Sequence, residues 1–341
     1  MTAASFKRAA RRIIGAAAPI TWQLRRNALA VLMYHRVLPE DHPERRYEQP
    51  GMYVSPEVLA MHLEALQRSF EVIDLADWIS RRERGLPLPH RACSITFDDG
   101  WRDNHQYGLP VLQRAGVPAT IFLVADFIGS DYEFWPNRLG RLIAGADGSG
   151  AAPLPMALRN VLRRVGAPAW IEAPEGQSVV ERVDAAINAC KTISDQAMHE
   201  VVAEAESQAS VAATQPAPAL LDEREIEEMS RSGLVRFGSH GRRHLRLVDG
   251  MAASTIEEEV RGSRDRLREL TGQPIDLFCY PNGDHCRAAV AAVRETYAGA
   301  VTTQSGWNDA STDRFLLNRA SIHEDVAYDR WSLYARVGAL A

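Results

Sequence analysis

Two adjacent carboxylates, Asp98 and Asp99, stand between an apolar segment at residues 93–97 and Gly100. The apolar segment predicts a short buried strand, and barrels and open α/β sheets place their chemistry at the carboxyl ends of strands. Two neighbouring carboxylates suit a division of labour in which one binds a metal and the other moves a proton. Because Asp-Gly pairs are also common turn formers, an ordinary β-turn is the alternative interpretation.

Two histidines, His240 and His244, follow a second predicted strand at residues 235–237. On a helical turn, imidazoles at this spacing would face the same way, which suits two ligands of one metal. Asp99 would complete a three-ligand set with an open position for water, although a surface helix can carry such a pair by accident. Zinc suits mixed nitrogen and oxygen ligands with an open position, and Co, Ni or Mn can replace it.

The segments that must position these residues alternate between strand-like and helix-like patterns. This alternation predicts an α/β fold with parallel strands. The predicted strands cover residues 29–34, 70–73, 93–97, 119–124, 235–237, 276–280, 300–303 and 315–322. The predicted helices cover residues 55–69, 75–84, 103–115, 221–232, 256–270 and 288–297.

Residues 141–220 differ in composition from the rest of the chain, since they are rich in Ala, Gly, Pro, Ser and Glu. They contain helical stretches at 157–165 and 179–205, and 209–219 resembles a linker. The region is too long for an ordinary βα loop. We therefore predict a helical insertion, which is a candidate lid over the site.

The composition indicates a globular protein without nucleic-acid partners. A length of 341 residues is comfortable for one large α/β barrel with an insertion, and a net charge of −5 gives no sign of nucleic-acid binding. The four cysteines form no zinc-type Cys-x-x-Cys pair, and reduced core cysteines favour a reducing compartment. We therefore predict a cytoplasmic location.

Residues 1–28 form a basic leader whose apolar run, at 13–20, is short and rich in alanine. A secretory signal would need a stronger apolar core. A solvated leader is the preferred interpretation. The alternative is an amphipathic basic helix on an anionic membrane surface, which would make the protein peripheral to the inner membrane.

Three motifs together resemble the polysaccharide deacetylases of carbohydrate esterase family 4, which carry the NodB-homology domain. They are Thr-Phe-Asp-Asp-Gly at 96–100, Ser-His-Gly-Arg-Arg-His-Leu-Arg-Leu at 239–247 and Phe-Cys-Tyr-Pro-Asn-Gly at 278–283. The resemblance spans most of residues 29–325 outside the insertion. It implies a distorted (β/α) barrel over residues 29–341 and a divalent metal, usually zinc. The implied reaction is hydrolysis of N-acetyl or, in some members, O-acetyl groups on sugars.

The resemblance also assigns roles to individual residues. It implies that Asp98 is the general base and that Asp99, His240 and His244 bind the metal. The residue after the proline of the third motif, Asn282, would offer its backbone N–H to the oxyanion of the tetrahedral intermediate. A general acid must then protonate the departing amine, because an amine anion is a very poor leaving group.

Departures from the family pattern affect three positions. Gly241 stands where the family usually has Ser or Thr. Cys279 stands where the family often has an Arg that orients the base, and Arg319 or Arg102 could substitute for it. The apolar wall of the fourth motif is represented by Trp307 alone, and a core or surface tryptophan explains that residue equally well.

Residues that contact the substrate are the least defined part of the site. An aromatic stretch at 132–137 contains Trp135, which could stack on sugar faces or could simply pack the insertion. The candidate substrate-binding residues are therefore Trp307, Arg319 and Trp135.

The general acid is predicted to be His35. In the family's usual order the acid histidine ends a Leu-x-Ile-x-Leu-His strand near the C-terminus, whereas here residues 29–35 have that shape and stand first. The Tyr-His-Arg-Val at 34–37 resembles members in which this strand is permuted to the N-terminus. Because a barrel closes on itself, such a move leaves the strand in the same place. The competing candidate is His323, which follows a weaker apolar run.

Together these features predict a metal-dependent hydrolase that removes acetyl groups from a carbohydrate in surface-polysaccharide or glycolipid biosynthesis. Its partner would be an N-acetylated sugar polymer or a lipid-linked sugar. One alternative is a deformylase or amidase that acts on a lipid- or nucleotide-linked sugar. The other is an inactive sugar-binding protein, and the presence of both Asp98 and Asp99 argues against it.

Overall fold

The computed structural model describes residues 12–16, 18, 22, 27–148, 152–209 and 219–338. The chain divides into two compact units. The barrel unit comprises the described residues up to Leu38, Tyr53–Ser130 and those from Leu220 onward. The insert unit comprises Pro39–Met52 and the described residues between Asp131 and Ala219.

Short strands supply the framework of the barrel unit, and β1 is buried along its whole length. Such continuous burial is typical of parallel strands that are covered on both faces. The strands are β1 (Ala28–Tyr34), β2 (Arg36–Val37), β3 (Tyr53–Val54), β4 (Glu71–Val72), β5 (Arg91–Phe97), β6 (Ala119–Leu123), β7 (Val235–Ser239), β8 (Leu277–Cys279), β9 (Gly299–Val301) and β10 (Ala320–Ser321).

The main sheet has the order β10-β1-β5-β6-β7-β8-β9, with β4 also paired to β5. All of these strand pairs are parallel, so their carboxyl ends lie at the same edge. Residues 314–317 hydrogen-bond to β9, and residues 320–321 pair with β1. The segment 314–321 therefore links the two ends of the curled sheet. This distorted (β/α) barrel confirms the predicted fold class.

Helices surround the strands and make up most of the insert unit. Side-chain caps mark several helix starts; for example, Ser55 Oγ accepts the N–H of Val58 at 3.2 Å. The helices are α1 (Pro56–Gln67), α2 (Leu75–Glu83), α3 (Leu109–Ala115), α4 (Trp135–Gly145), α5 (Met156–Arg164), α6 (Val179–Cys190), α7 (Asp195–Gln208), α8 (Glu223–Arg231), α9 (Ala253–Glu257), α10 (Ser263–Thr271), α11 (Arg287–Thr296) and α12 (Arg330–Gly338).

Several elements differ from their predicted bounds. The predicted helix at 179–205 is two helices, α6 and α7, because Ser194 caps a new start by accepting the N–H of Ala197. π-helical turns interrupt two others, at Asn104–Gly108 and Glu258–Gly262. Of the predicted strand at 315–322, two residues form β10.

The described part of the predicted insertion at 141–220 lies in the insert unit except for Leu220, which belongs to the barrel unit, and the insert unit also includes residues 39–52 and begins its second part at Asp131. Its own hydrophobic core contains Leu139 and Ile187, both fully buried. Most of the predicted linker at 209–219, and most of the basic leader, lie outside the described residues. Among the described residues, no helix combines the length and apolar character needed to cross a membrane.

Candidate metal and catalytic site

The turn after β5 places Asp98 and Asp99 at the carboxyl edge of the sheet. Asp99 and Gly100 both have left-handed backbone angles, with φ of 73° and 75°. A Cβ at Gly100 would lie 2.8 Å from a methyl carbon of Leu123, so the neighbouring strand leaves no room for a side chain. The tight turn explains why glycine follows the two carboxylates.

Asp99, His240 and His244 form a compact cluster of metal-type donors, whose ligand atoms lie within 4.8 Å of one another. Asp99 Oδ1 is 3.4 Å from His240 Nε2 and 3.5 Å from His244 Nε2. The two imidazole rings meet edge to face, with centroids 4.8 Å apart. The structure therefore brings together the three residues that the sequence predicts as ligands.

Hydrogen bonds behind the cluster orient two of its members. The Nδ1–H of His240 donates to the carbonyl oxygen of Cys279 at 2.9 Å, which leaves Nε2 facing Asp99. The indole N–H of Trp101 donates to Asp99 Oδ2 at 2.9 Å. Such outer contacts are what metal-binding histidines and carboxylates need to hold their orientation. The sequence analysis did not single out Trp101, although its place directly after the Asp-Asp-Gly turn was a usable signal.

The charges of the cluster favour an ionised Asp99. Burial alone would raise the pKa of Asp99, but hydrogen bonding to His240 and the nearby imidazoles lower it well below its usual range. Burial disfavours a charged His240, yet Cys279, Asp99 and Asp98 raise its pKa well above the usual value in the metal-free protein. The ionised Asp99 attracts a cation, and a metal that displaces the imidazole proton would find one carboxylate and two imidazole nitrogens, a donor set that fits a divalent metal.

The histidine pair does not lie on a helical turn, which corrects the sequence-based prediction. Gly241 and His244 have left-handed backbone angles, with φ of 80° and 61°. The main chain after β7 therefore folds back on itself, and this turn brings the two imidazoles together. Spacing of four residues is compatible with both geometries, so it could not distinguish them.

A second group of donor atoms, from Asp98, His240 and Cys279, also lies close together. This group is a poorer metal site because both oxygens of Asp98 are already bound by Arg319 at 2.7 Å. Burial raises the pKa of the Cys279 thiol, so the sulfur remains protonated near neutral pH. Asp99 rather than Asp98 is therefore the better carboxylate ligand.

Arg319 is fully buried, and all five of its N–H groups have acceptors. Two of them bind the Asp98 carboxylate, as described above. The others donate to Thr302 O at 2.8 Å, Thr96 Oγ1 at 3.1 Å and Cys279 Sγ at 3.1 Å. Because none of these groups faces solvent, the burial of Arg319 disfavours the predicted contact with the substrate. Its contacts instead match the base-orienting role that the sequence analysis offered as an alternative.

The pairing of Arg319 with Asp98 fixes the charge of the carboxylate. Burial raises the pKa of Asp98, but the charge and hydrogen bonds of Arg319 outweigh this effect and hold the pKa below its usual value. The other predicted substitute, Arg102, instead contacts Asp222 and Glu225 at 3.3 and 3.0 Å.

His35 lies beside Asp98, with 4.0 Å between His35 Nε2 and Asp98 Oδ2. This proximity follows from the register of β1 on β5, in which Tyr34 is paired with Phe97. His323 follows β10 on the other side of β1, and its Nδ1 lies 3.9 Å from Asp325. Both histidines therefore stand at the carboxyl edge, and His35 is the one next to Asp98.

Asn282 is exposed and has a left-handed backbone, with φ of 55°, in the short turn Pro281–Gly283 that follows β8. Its carbonyl oxygen accepts a hydrogen bond from Thr303 Oγ1 at 3.3 Å. The turn therefore presents the backbone of Asn282 at the same edge of the sheet as the donor cluster.

The two candidate tryptophans lie in hydrophobic cores. Trp307 is 8% exposed and its ring is 6.0 Å from that of Phe70, while the next residue, Asn308, bonds to Leu29 near the start of β1. This places Trp307 toward the amino ends of the strands, away from the donor cluster, so the core interpretation is correct. Trp135 is 5% exposed in the core of the insert unit, and its indole donates to Asp195 at 2.8 Å. That burial favours the packing role over stacking on sugars.

Comparison with known proteins agrees with this geometry. The sequence model of the polysaccharide deacetylase family matches residues 86–149 and 179–300. YxkH of Bacillus subtilis (strain 168), whose name places it among the polysaccharide deacetylases, is 54% identical over 45 residues. These cover 13% of this chain and 16% of YxkH, about a sixth of its length.

Three solved structures illustrate the similarity of the fold. The deacetylase PplD of Streptococcus pyogenes, in complex with acetate, superposes with a TM-score of 0.55 at 16% identity, covering 88% of this chain and 94% of PplD. IcaB from Ammonifex degensii gives 0.55 at 17% identity, covering 91% and 97%. The de-N-acetylase from Aggregatibacter actinomycetemcomitans gives 0.54 at 14% identity, covering 87% and 95%. At these identities the similarity establishes the fold.

The fold is therefore that of the distorted (β/α)-barrel deacetylases. The family model matches more than half of the chain, including the strands that end at Asp98 and His240. The chain belongs to the polysaccharide deacetylase family.

Proposed function

We propose that this protein is a metal-dependent hydrolase that removes acetyl groups from a carbohydrate. The observation that carries the proposal is the Asp99, His240 and His244 cluster beside Asp98, a carboxylate held ionised by Arg319. This arrangement combines an open metal site with a base, which is the combination that amide hydrolysis needs.

Each step of the hydrolysis has a candidate residue in this site. A divalent cation bound by Asp99, His240 and His244 would polarise the acetyl carbonyl and lower the pKa of water. Asp98 accepts the proton of the attacking water. The backbone N–H of Asn282 donates to the oxyanion.

The remaining proton goes to the leaving group. As the C–N bond breaks, the amine takes a proton from His35, and the water oxygen remains in the released acetate. The 4.0 Å between His35 Nε2 and Asp98 Oδ2 supports placing the proposed acid and the proposed base in one site.

We propose an N-acetylated sugar polymer or a lipid-linked sugar of surface-polysaccharide or glycolipid biosynthesis as the substrate. Support comes from the family and from the fold relatives, which include a de-N-acetylase. O-acetyl groups form the second candidate class, and formyl or other amides the third. Zinc is the proposed metal because the donor set mixes two imidazoles with one carboxylate.

The test combines metal analysis with product release. The wild-type protein should bind about one divalent ion per chain and release acetate, not formate, from N-acetylglucosamine oligomers or lipid-linked sugars. His240→Ala should lose both properties. His105→Ala, which alters a histidine paired with Glu228, is the matched control and should keep both. Full metal occupancy in His240→Ala would contradict the assignment.

Contact with an anionic membrane surface is the less favoured interpretation of the leader, and it has one structural support. Ile13 and Ile14, which follow a basic stretch at residues 7–12, are 73% and 54% exposed. Exposed apolar side chains next to basic residues suit an anionic membrane surface. Sedimentation with phosphatidylglycerol vesicles but not phosphatidylcholine vesicles would support this location, and Ile13→Asp should abolish it.

A further inference from the structure

Glu259 is a fully buried carboxylate that binds the turn carrying the two histidines. Its Oε2 accepts the backbone N–H groups of Arg242 and Arg243, each at 3.0 Å. Its Oε1 accepts the Nε–H of Arg243 at 2.9 Å. Successive backbone N–H groups that converge on one anion form a nest, which is stable when the anion is held in place.

The close approach of this carboxylate explains the glycine in the motif. A Cβ at Gly241 would lie 3.1 Å from Glu259 Oε2, closer than an ordinary contact, and the backbone there has φ of 80°. A side chain at this position would therefore be strained and would press on the carboxylate. Glu259 therefore fills the space that a side chain at position 241 would enter.

A chain of hydroxyl groups links the same turn to the backbone of Glu259. The N–H of Gly241 donates to Ser239 Oγ at 3.2 Å, and Ser239 donates to Ser263 Oγ at 2.8 Å. Ser263 in turn donates to the carbonyl oxygen of Glu259 at 2.6 Å. Three consecutive N–H groups of the turn are therefore held: that of Gly241 by Ser239, and those of Arg242 and Arg243 by Glu259.

Glu259 lies in the π-helical turn Glu258–Gly262, between α9 and α10, and Ser263 is the first residue of α10. A π turn inserts one extra residue into a helix and often marks a functional site. The carbonyl groups of the histidine turn are held from the opposite side, because Gly241 O and Arg242 O accept the N–H groups of Ala125 and Asp126 at 3.1 and 2.9 Å. The turn is thus fixed through both its donors and its acceptors.

We infer that Glu259 is a positioning residue that holds His240 and His244 in ligand geometry before any metal binds. This inference rests on the proposed metal site and adds a residue outside the three ligands. Partners of metal ligands typically change metal affinity about 10–100-fold when they are replaced. Glu259 acts through the main chain, because it binds the backbone of the residues between the two ligands.

The test compares Glu259→Gln with Glu258→Gln. Glu258 is the matched control because it is the neighbouring residue, faces the same two arginines at 3.6 and 3.7 Å, and is 54% exposed. Metal affinity is measured for the folded proteins by competition between the site and a chromophoric chelator for Zn²⁺. The visible spectrum of the Co²⁺ form reports ligand geometry. Glu259→Gln should weaken Zn²⁺ binding at least about 10-fold and alter the Co²⁺ spectrum, and Glu258→Gln should do neither.

Two results would overturn the inference. The first is a folded Glu259→Gln protein that has a lower thermal midpoint in EDTA but wild-type Zn²⁺ affinity, since this would show a merely structural role. If Glu259→Gln does not fold, Ser263→Ala is measured instead. The second result that would overturn the inference is unchanged Zn²⁺ affinity in Ser263→Ala. A wild-type protein that binds no metal, or a His240→Ala protein that binds it fully, would instead contradict the proposed function itself.

Discussion

Replacing Arg319 with Met removes the guanidinium that binds both oxygens of Asp98 inside the barrel. Both residues are buried, with 0% and 2% of their surfaces exposed, so no solvent replaces the lost interactions. Removing one partner of a buried ion pair costs about 3–5 kcal/mol, because the remaining charge is uncompensated. At about 2–4 °C per kcal/mol for a domain of this size, the thermal midpoint should fall by about 6–20 °C.

The loss should depend on pH, and its sign follows from the pKa of Asp98. In the wild type Arg319 lowers this pKa, so the pair stabilises the fold above the unfolded-state pKa of about 4 and is lost as pH falls through the folded-state value. Arg319→Met removes the largest effect that opposes burial, so the pKa of Asp98 rises and this protein lacks the stability that the pair contributes at neutral pH. The difference between the two proteins should therefore be largest at neutral pH and smaller in acid.

The assay is denaturant unfolding of the metal-free proteins in EDTA, with Arg102→Met as the matched control. Arg102 is partly exposed and pairs with Asp222 and Glu225, so its loss should cost about 1 kcal/mol or less. In an Asp98→Asn background, Arg319→Met should cost at least about 1 kcal/mol less than in the wild type, since no buried charge is left. Equal midpoints for Arg319→Met and Arg102→Met, or strict additivity in the double variant, would refute the reasoning.

Three further predictions concern the residues around this pair. Asp98→Asn should bind Zn²⁺ about as well as wild type but lose about 10²–10⁴-fold in kcat, and near-normal turnover would exclude a role as base. His35→Ala should keep its metal and its fold and should lose the basic limb of the pH–rate profile. Its loss of kcat should be smaller on substrates with good leaving groups, and the same pattern in His323→Ala instead of His35→Ala would reject His35 as the acid. Gly100→Ala should lower the free energy of unfolding more than Gly116→Ala. Both sites have left-handed backbones, but an added Cβ at Gly116 would have nothing within 4 Å, and equal losses would show that the Leu123 side chain moves aside easily.

The chemistry at strand ends was predictable because it depends on local signals. An apolar segment followed by Asp98 and Asp99 needs one strand and one tight turn, and both are visible in a few residues. His240 and His244 also follow a strand, and parallel strands bring their carboxyl ends to the same edge. Proximity of the three metal-type residues therefore followed from the strand pattern.

Other features depend on contacts that spacing does not contain. Arg319 binds Asp98 because residues 314–321 pass between β9 and β1, and no local pattern specifies that path. The turn that ends in the left-handed backbone of His244 is bound by Glu259, which comes from a separate π-helical turn. Trp307 is a core residue for a reason that composition cannot reveal, namely its packing against Phe70.

The segment 314–321 also sets the order in which the molecule can be completed during synthesis. β1 leaves the ribosome first, but β10, its neighbour on one side, is translated after all the other strands of the sheet. Until then β1 and β9 present open edges, which are prone to pair with other nascent chains. Asp98 likewise lacks its Arg319 partner until residue 319 has been translated. A translation product that stops before residue 314 therefore has neither a continuous ring of strands nor an Asp98 carboxylate bound by Arg319. Catalytic competence and protection from aggregation are therefore acquired in the same late step.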